Sequence, residues 1–460
     1  MKIPSSARYR RRMGFSGIDV RRDESVLDFS VSPCAYNFDF SSGALRSGYG
    51  IAAHPSVPKE AVRYWVYRFA DESGAAVEQY VYQTADGHLG YRNAQSGSDR
   101  FMTNVKFPPM TALNYRLNSK DILFLACDEK PLMSWDGSRL REHTGSPMIS
   151  SMALHYERLF VTARDSPTKV FFSDDLDPTN WKISSDAGGF IELLDERGAL
   201  NRVVSFGNYL YIFREHGISR VTAFAEQREF SVTDLFVSAG RIYPNSITKC
   251  GSVIMFAASD GLYVFDGYEC RRTLKNLDGL LLPQSVTASA YFDGRYYLAC
   301  KADFGDGRTV GAEAGEYAAN ALLTYSVGTG EYSLSRGLDI SFMNACSYGG
   351  VDFLAAGDGG CGGIIVRCGK RFEEDLPKHW QSPETDFSAA DMKKSVRDVY
   401  VQTTAPVTVT VSDGKRSRAV TVKAGRRRVR AGVFEGRISL ALDAGCDCEI
   451  KPLTLVFSAY

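Results

Sequence analysis

No run of 18 apolar residues occurs anywhere in this chain of 460, so no membrane-spanning helix is expected from it. Nor does an apolar core follow the opening Met1 to Arg12, so a secretory signal is not expected. An excess of either charge is absent too: Lys plus Arg is 54 and Asp plus Glu is 54. That excludes a uniformly basic nucleic-acid coat, although it leaves room for a local basic surface. Gly-x-Ser-x-Gly, a phosphate-binding P-loop and His-Glu-x-x-His are all missing, and the six His are scattered. The ten Cys form no disulfide framework; Cys127, Cys300 and Cys346 sit inside apolar runs, where a thiol behaves as a small hydrophobe. Folding in a reducing cytoplasm is the simpler reading. Cys446-x-Cys448 and the Cys361/Cys368 pair do not supply the two close pairs of a structural zinc site. Helix signals are few: residues 389–399 could hold one or two turns and 274–282 one. Neither reaches the length of an α/β crossover, so a doubly wound fold is not expected.

What the chain does have is aromatics and glycine. Tyr, Phe and Trp make up 12% of it, with 42 Gly to turn the strands that such residues favour. The hydrophobic fraction of 44% provides for a large core. Seven times the same phrase returns: an apolar run, a turn marked by Gly or Asp-Gly, and a second apolar run. The anchors are Val81, Leu123, Phe160, Tyr211, Met255, Leu298 and Leu354, separated by 42, 37, 51, 44, 43 and 56 residues. That is the size of a four-stranded propeller blade, about 40–50 residues. A blade alone cannot bury both faces of its sheet, so blades stack on their neighbours. The expectation is an all-β chain with a β-propeller of about seven blades over residues 51–371.

The two ends differ from the repeat. Residues 1–50 hold few apolar runs and are locally basic through Arg10, Arg11, Arg12, Arg21 and Arg22; they read as an extended arm, or as a disordered leader with solvated charges. Residues 372–460 carry short, strictly alternating strands at 398–402, 407–411, 419–422, 438–442 and 453–457. This reads as a small β-sandwich-like domain, with a further blade as the alternative.

Candidate chemistry is thin. Acidic pairs occur at Asp174/Asp175, Glu192/Asp195 and Glu373/Glu374/Asp375, but glycoside hydrolysis needs a set separation across a sugar, and acidic loops are usually solvated. Residues 303–307 lack the ligand set of a calcium loop. Residues 173–181 are similar to the Asp-box turn of sialidase-like propellers, with Ser173, Asp175 and Thr179 in place and Trp181 one position late. In those families the turn is structural. No catalytic residue, cofactor or metal is assigned, and the chain is not expected to be an enzyme. The densest basic cluster is Arg426, Arg427, Arg428 and Arg430. With Arg10, Arg11 and Arg12 it is the candidate surface for DNA or a partner. Its plainer reading is a strand edge kept from aggregating by charge.

Three stretches, in order over residues 37–280, resemble the propeller-type virion proteins of tailed bacteriophages, the neck and tail-tube (nozzle) or packaged-DNA stabilisation proteins. The first is Asn37-x-Asp39 with Gly43-x-Leu45-Arg46 and Gly50. The second runs from Val170 through Ser173, Asp174 and Trp181 to the strand ending at Phe213. The third is Gly240, Ser246, the strand ending at Phe256, Asp260-Gly261 and Tyr263-x-Phe265-x-Gly267. The resemblance implies a structural virion component: a homo-oligomeric ring around the DNA channel, in contact with portal or other neck and tail proteins, made in the host cytoplasm. It carries over no catalytic residue. Two other readings remain. A carbohydrate-binding or glycan-processing propeller should show a central pocket lined by Trp, Tyr and paired acids. The other is a cytoplasmic protein-interaction propeller unrelated to phage.

Overall fold

The computed structural model describes residues 8–459 apart from 41, 53–57, 59, 72, 94–95, 118–119, 185–186, 225, 305–320, 349, 359–360, 367–375 and 388–391. The described residues form a seven-bladed β-propeller and a C-terminal β-sandwich. Blades one to four are the antiparallel four-stranded sheets that begin with strands Ala61–Ala70, Thr111–Leu117, Ile149–His155 and Leu200–Phe206. Blades five to seven begin with Thr248–Cys250, Ala288–Phe292 and Ile340–Tyr348. All seven anchors fall on the second strand of their blade, and each is at most 2% exposed. That strand is flanked by two hydrogen-bonded neighbours and covered on both faces by adjacent blades. It therefore reads as a continuous apolar run rather than an alternation. Separate apolar clusters fill the gaps between blades. Trp65, Leu123 and Trp135 join blades one and two; Phe160, Val170 and Ile212 join three and four; Phe213, Phe256 and Phe265 join four and five.

The seventh blade is closed from the other end of the chain. It contributes three strands of its own, Ile340–Tyr348, Val351–Asp358 and Cys361–Val366. Its fourth is Gly50–Ala52, antiparallel to the last of these with Ile51 opposite Ile365. The first and last blades also meet closely. A Cβ on Gly357 would lie 2.2 Å from the Val62 carbonyl oxygen, so only glycine fits at this seam.

The segment before residue 50 differs from the arm expected of it. Its strands are extended, but they are built into two other units. Arg8–Met13 pairs with Leu453–Ala459, and Cys34–Tyr36 pairs with Lys378–Gln381. Between them the hairpin Phe38–Asp39 and Leu45–Ser47 is stitched on one side to Leu334 of blade six and on the other to Ile450. One sheet thus runs from the propeller into the C-terminal module. Asn37 fixes this junction in a left-handed backbone (φ 61°), a conformation asparagine tolerates. Its side-chain oxygen accepts from Arg336 N at 2.7 Å and its amide donates to Pro377 O at 2.7 Å.

In the C-terminal module the first sheet holds Arg8–Met13, Leu453–Ala459, Lys394–Thr403 and Gly425–Val429. The second holds Cys34–Tyr36, Lys378–Gln381, Ser439–Ala444, Val407–Ser412 and Ser417–Val422. Between them pack Trp380, Val399, Val401, Val409, Leu442 and Leu455, each at most 2% exposed. The helical turns considered for residues 389–399 do not form over 394–399, which are strand. There Val396, Val399 and Val401 are buried against the facing sheet, and this packing outweighs weak helical propensity. Residues 274–282 do hold one turn, the 3₁₀ helix Lys275–Leu277.

The seam between blades gives a stability test. Gly357→Ala should lower unfolding free energy by about 1–3 kcal/mol, because the methyl meets backbone that cannot yield without opening the ring. Chemical denaturation measures it, and an unchanged midpoint would contradict the tight seam.

A basic sheet face as the candidate functional site

The two arginine clusters come from opposite ends of the chain, yet they lie on opposite edges of the same sheet. The order across it is Arg8–Met13, Leu453–Ala459, Lys394–Thr403, Gly425–Val429, and the register aligns Arg12, Thr454, Tyr400 and Arg428 in one row. Side chains alternate between faces along each strand. Val399, Leu455 and Val429 point into the sandwich, which leaves Arg10, Arg12, Arg426 and Arg428 on its outer face, all exposed. Three strand spacings put the two edges about 14 Å apart. Arg397, exposed at the bulge in the central strand, adds a further cation. Asp398 is the carboxylate set into this face. It accepts a fork of two bonds from Arg428, from Nε at 2.5 Å and Nη2 at 2.9 Å. Those bonds raise the Arg428 pKa and hold its guanidinium flat against the sheet.

The other clustered arginines go elsewhere. Arg11 has the opposite parity; it lies 3.7 Å from Asp28 and over the Phe29 ring. Arg427 folds back on the turn before its strand, donating Nη2 to Ala424 O at 2.9 Å. Arg430 follows the strand and is exposed. The turn ahead of Ser417–Val422 is set by Asp413, whose Oδ1 accepts from Lys415 N and Arg416 N, and by Gly414 at φ 79°.

Asp174 and Asp195, one from each of two acidic pairs, serve structure. Asp174 and Asp177, rather than Asp175, fix the Asp-box-like turn. Asp174 Oδ2 accepts from Asn180 at 2.8 Å, and Asp177 Oδ1 accepts from the Thr179 backbone N–H and hydroxyl. Asp195 neutralises the fully buried Arg214 at 2.6 Å and also meets Arg197 at 2.8 Å. Glu373, Glu374, Asp375, Cys368 and residues 305–307 lie outside the described residues. Cys446 and Cys448 are free thiols, and no group able to hold a metal ion occurs among the described residues.

One constellation escaped sequence reading. Between propeller and sandwich lies a cavity of about 670 Å³ whose lining includes Cys34, His379 and Asp443. These three come from adjacent strands, with His379 directly opposite Asp443 on one side and Tyr36 on the other. His379 Nδ1 lies 2.7 Å from Asp443 Oδ1, and Tyr36 stacks on the ring. Burial pulls the His379 pKa down. The bond to Asp443 and the nearby Cys34 thiol outweigh it and push the pKa up to about 9. With residue numbers 34, 379 and 443, no local motif announces this grouping.

Cavities lie along the propeller axis. Two lobes of about 510 and 550 Å³ are lined by the first strands of all seven blades. Trp65 and Tyr291 are present, but no Asp or Glu lines either lobe. The paired acids that a glycan-cleaving pocket requires are therefore not in the channel lining described.

No protein-family model matches the chain, and no curated protein matches it. Among solved structures it is similar to the crystal structure of BBS1N in complex with ARL6DN, soaked with mercury. That match has 12% identity and a TM-score of 0.45, and it covers 70% of this chain and 97% of that one.

The His379–Asp443 pair predicts a pH dependence. A folded-state pKa above the ordinary value of about 6.5 adds stability that is complete below pH 6.5 and lost as pH rises through about 9. With Asp443 half-exposed, the contribution is about 1 kcal/mol. Denaturation from pH 6 to 10 should show this loss in the native chain and not in His379→Gln. Equal slopes in both would contradict the assignment.

Proposed function

We propose that this chain is a structural protein of a tailed bacteriophage or prophage, set as a homo-oligomeric ring in the neck or tail channel through which DNA passes. One observation carries the reading: Arg10, Arg12, Arg426 and Arg428 share one exposed sheet face, in the C-terminal module. A flat array of guanidinium groups about 14 Å across suits a polyanion whose phosphates are regularly spaced, and it reads no sequence. The ordered resemblance over residues 37–280 supplies the virion context. Asp174 and Asp195 are spent on a turn and on a buried arginine, which suits a scaffold. Rings of identical chains need a heterologous interface, and the outer blade surfaces offer area for one. Portal or other neck and tail proteins are the partners on this reading.

Binding of double-stranded DNA of arbitrary sequence tests the face. Affinity should fall with salt, with a log–log slope of about −3 for roughly three phosphate contacts, because Arg428 is already paired with Asp398. Replacing Arg10, Arg12, Arg426 and Arg428 together by Gln should abolish most of the binding and flatten the slope. Native chain that fails to bind at low salt, or a quadruple variant that binds equally, would sink the DNA-facing role. Negative-stain images of the purified chain, alone and with portal protein, test the ring.

A further inference from the structure

We infer that the propeller channel is a binding site for a small oxyanion, a phosphate or carboxylate group, seated on Arg202. This site is independent of the arginine face and of the role proposed for it.

Arg202 lies on the first strand of blade four and lines both channel lobes, which adjoin at this residue. Nη1 donates to Pro244 O at 3.2 Å. A guanidinium has five N–H groups in a planar fork, so this one bond leaves donors of the fork available to a ligand in the channel. The side chain is half-buried in the channel wall, and the partial desolvation there pulls its pKa down from the usual arginine value. A cation drawn partly out of water is ordinarily matched by a carboxylate. Here the lining has none, and its other charged groups are cations: Lys249 in one lobe and Arg68 in the other. Arg68 is paired to Glu78 at 2.6 Å, outside the lining, so Lys249 is the second charge facing the lumen.

The remaining polar groups are held in place. The Asn344 amide donates to Tyr64 O at 3.3 Å, and Thr248 and Ser289 share a hydroxyl hydrogen bond of 2.6 Å. Each lobe falls within the range of small-molecule sites, about 300–1,000 Å³. A planar fork with no competing acid is the arrangement that takes carboxylate or phosphate bidentately.

Isothermal titration of the full chain with inorganic phosphate, and separately with acetate, tests the site and tells the two oxyanions apart. One saturable site for either anion is expected. Arg202→Gln should weaken it by about tenfold or more, while Arg426→Gln/Arg428→Gln should leave it unchanged. Lys249→Ala, which keeps Arg202, should weaken it several-fold and decides the matter if Arg202→Gln does not fold. Absence of binding by the native chain to both anions would overturn the proposal. So would binding that survives Arg202→Gln or Lys249→Ala but disappears with the Arg426 and Arg428 changes.

Discussion

The three residue pairs between Gly50–Ala52 and the last strand of blade seven hold the ring together. A propeller is a closed stack, and each blade is stable because neighbours cover both of its faces. If the first and last blades part, the cluster at Tyr64, Tyr80 and Phe353 opens to water, and if the closing strand leaves blade seven, Tyr49 and Ile51 are lost from the cluster that joins blades six and seven. Fully burying one such side chain is worth about 1.5–3 kcal/mol, so losing either cluster is a large fraction of a domain's net stability. Closure by a strand from the far end of the chain makes the ring depend on a pairing between residues 50–52 and 364–366, distant in sequence.

The same requirement shapes everything before residue 50. To deliver Ile51 to blade seven, the chain must leave the sandwich, pass blade six and turn at Asn37. On the way it donates strands to both C-terminal sheets. The sandwich is therefore completed by the start of the chain. The arginine face exists only because Arg8–Met13 and Gly425–Val429 flank the same two strands. The cavity holding Cys34, His379 and Asp443 arises from this interleaving too, since Cys34–Tyr36 is inserted beside Lys378–Gln381. The channel and its Arg202 belong to the propeller alone, which is why the two proposed anion sites can be separated by substitution.

The blades were legible because their second strands are buried on both faces, so each of the seven anchors sits in a local apolar run with a turn after it. The sandwich strands were legible for the complementary reason: one face is wet, and Val407, Val409 and Val411 alternate with Thr408 and Thr410. What could not be read was pairing. Residues 8–13 look like a charged tail because Arg10 and Arg12 face solvent and their strand partners are more than 400 positions away. Residues 50–52 are too short to show a period. The Asp-box-like turn was recognisable by composition, but which carboxylates anchor it is decided by the folded loop, where Asp174 and Asp177 take the bonds. The His379 grouping likewise needs the register of three strands.

Amide hydrogen exchange on the intact chain tests the interleaving most directly. The account predicts that Ile51 and residues 34–36 exchange as slowly as the strands of blade seven and the sandwich they join. It is contradicted if residues 8–52 exchange within seconds while Lys394–Thr403 and Leu453–Ala459 stay protected.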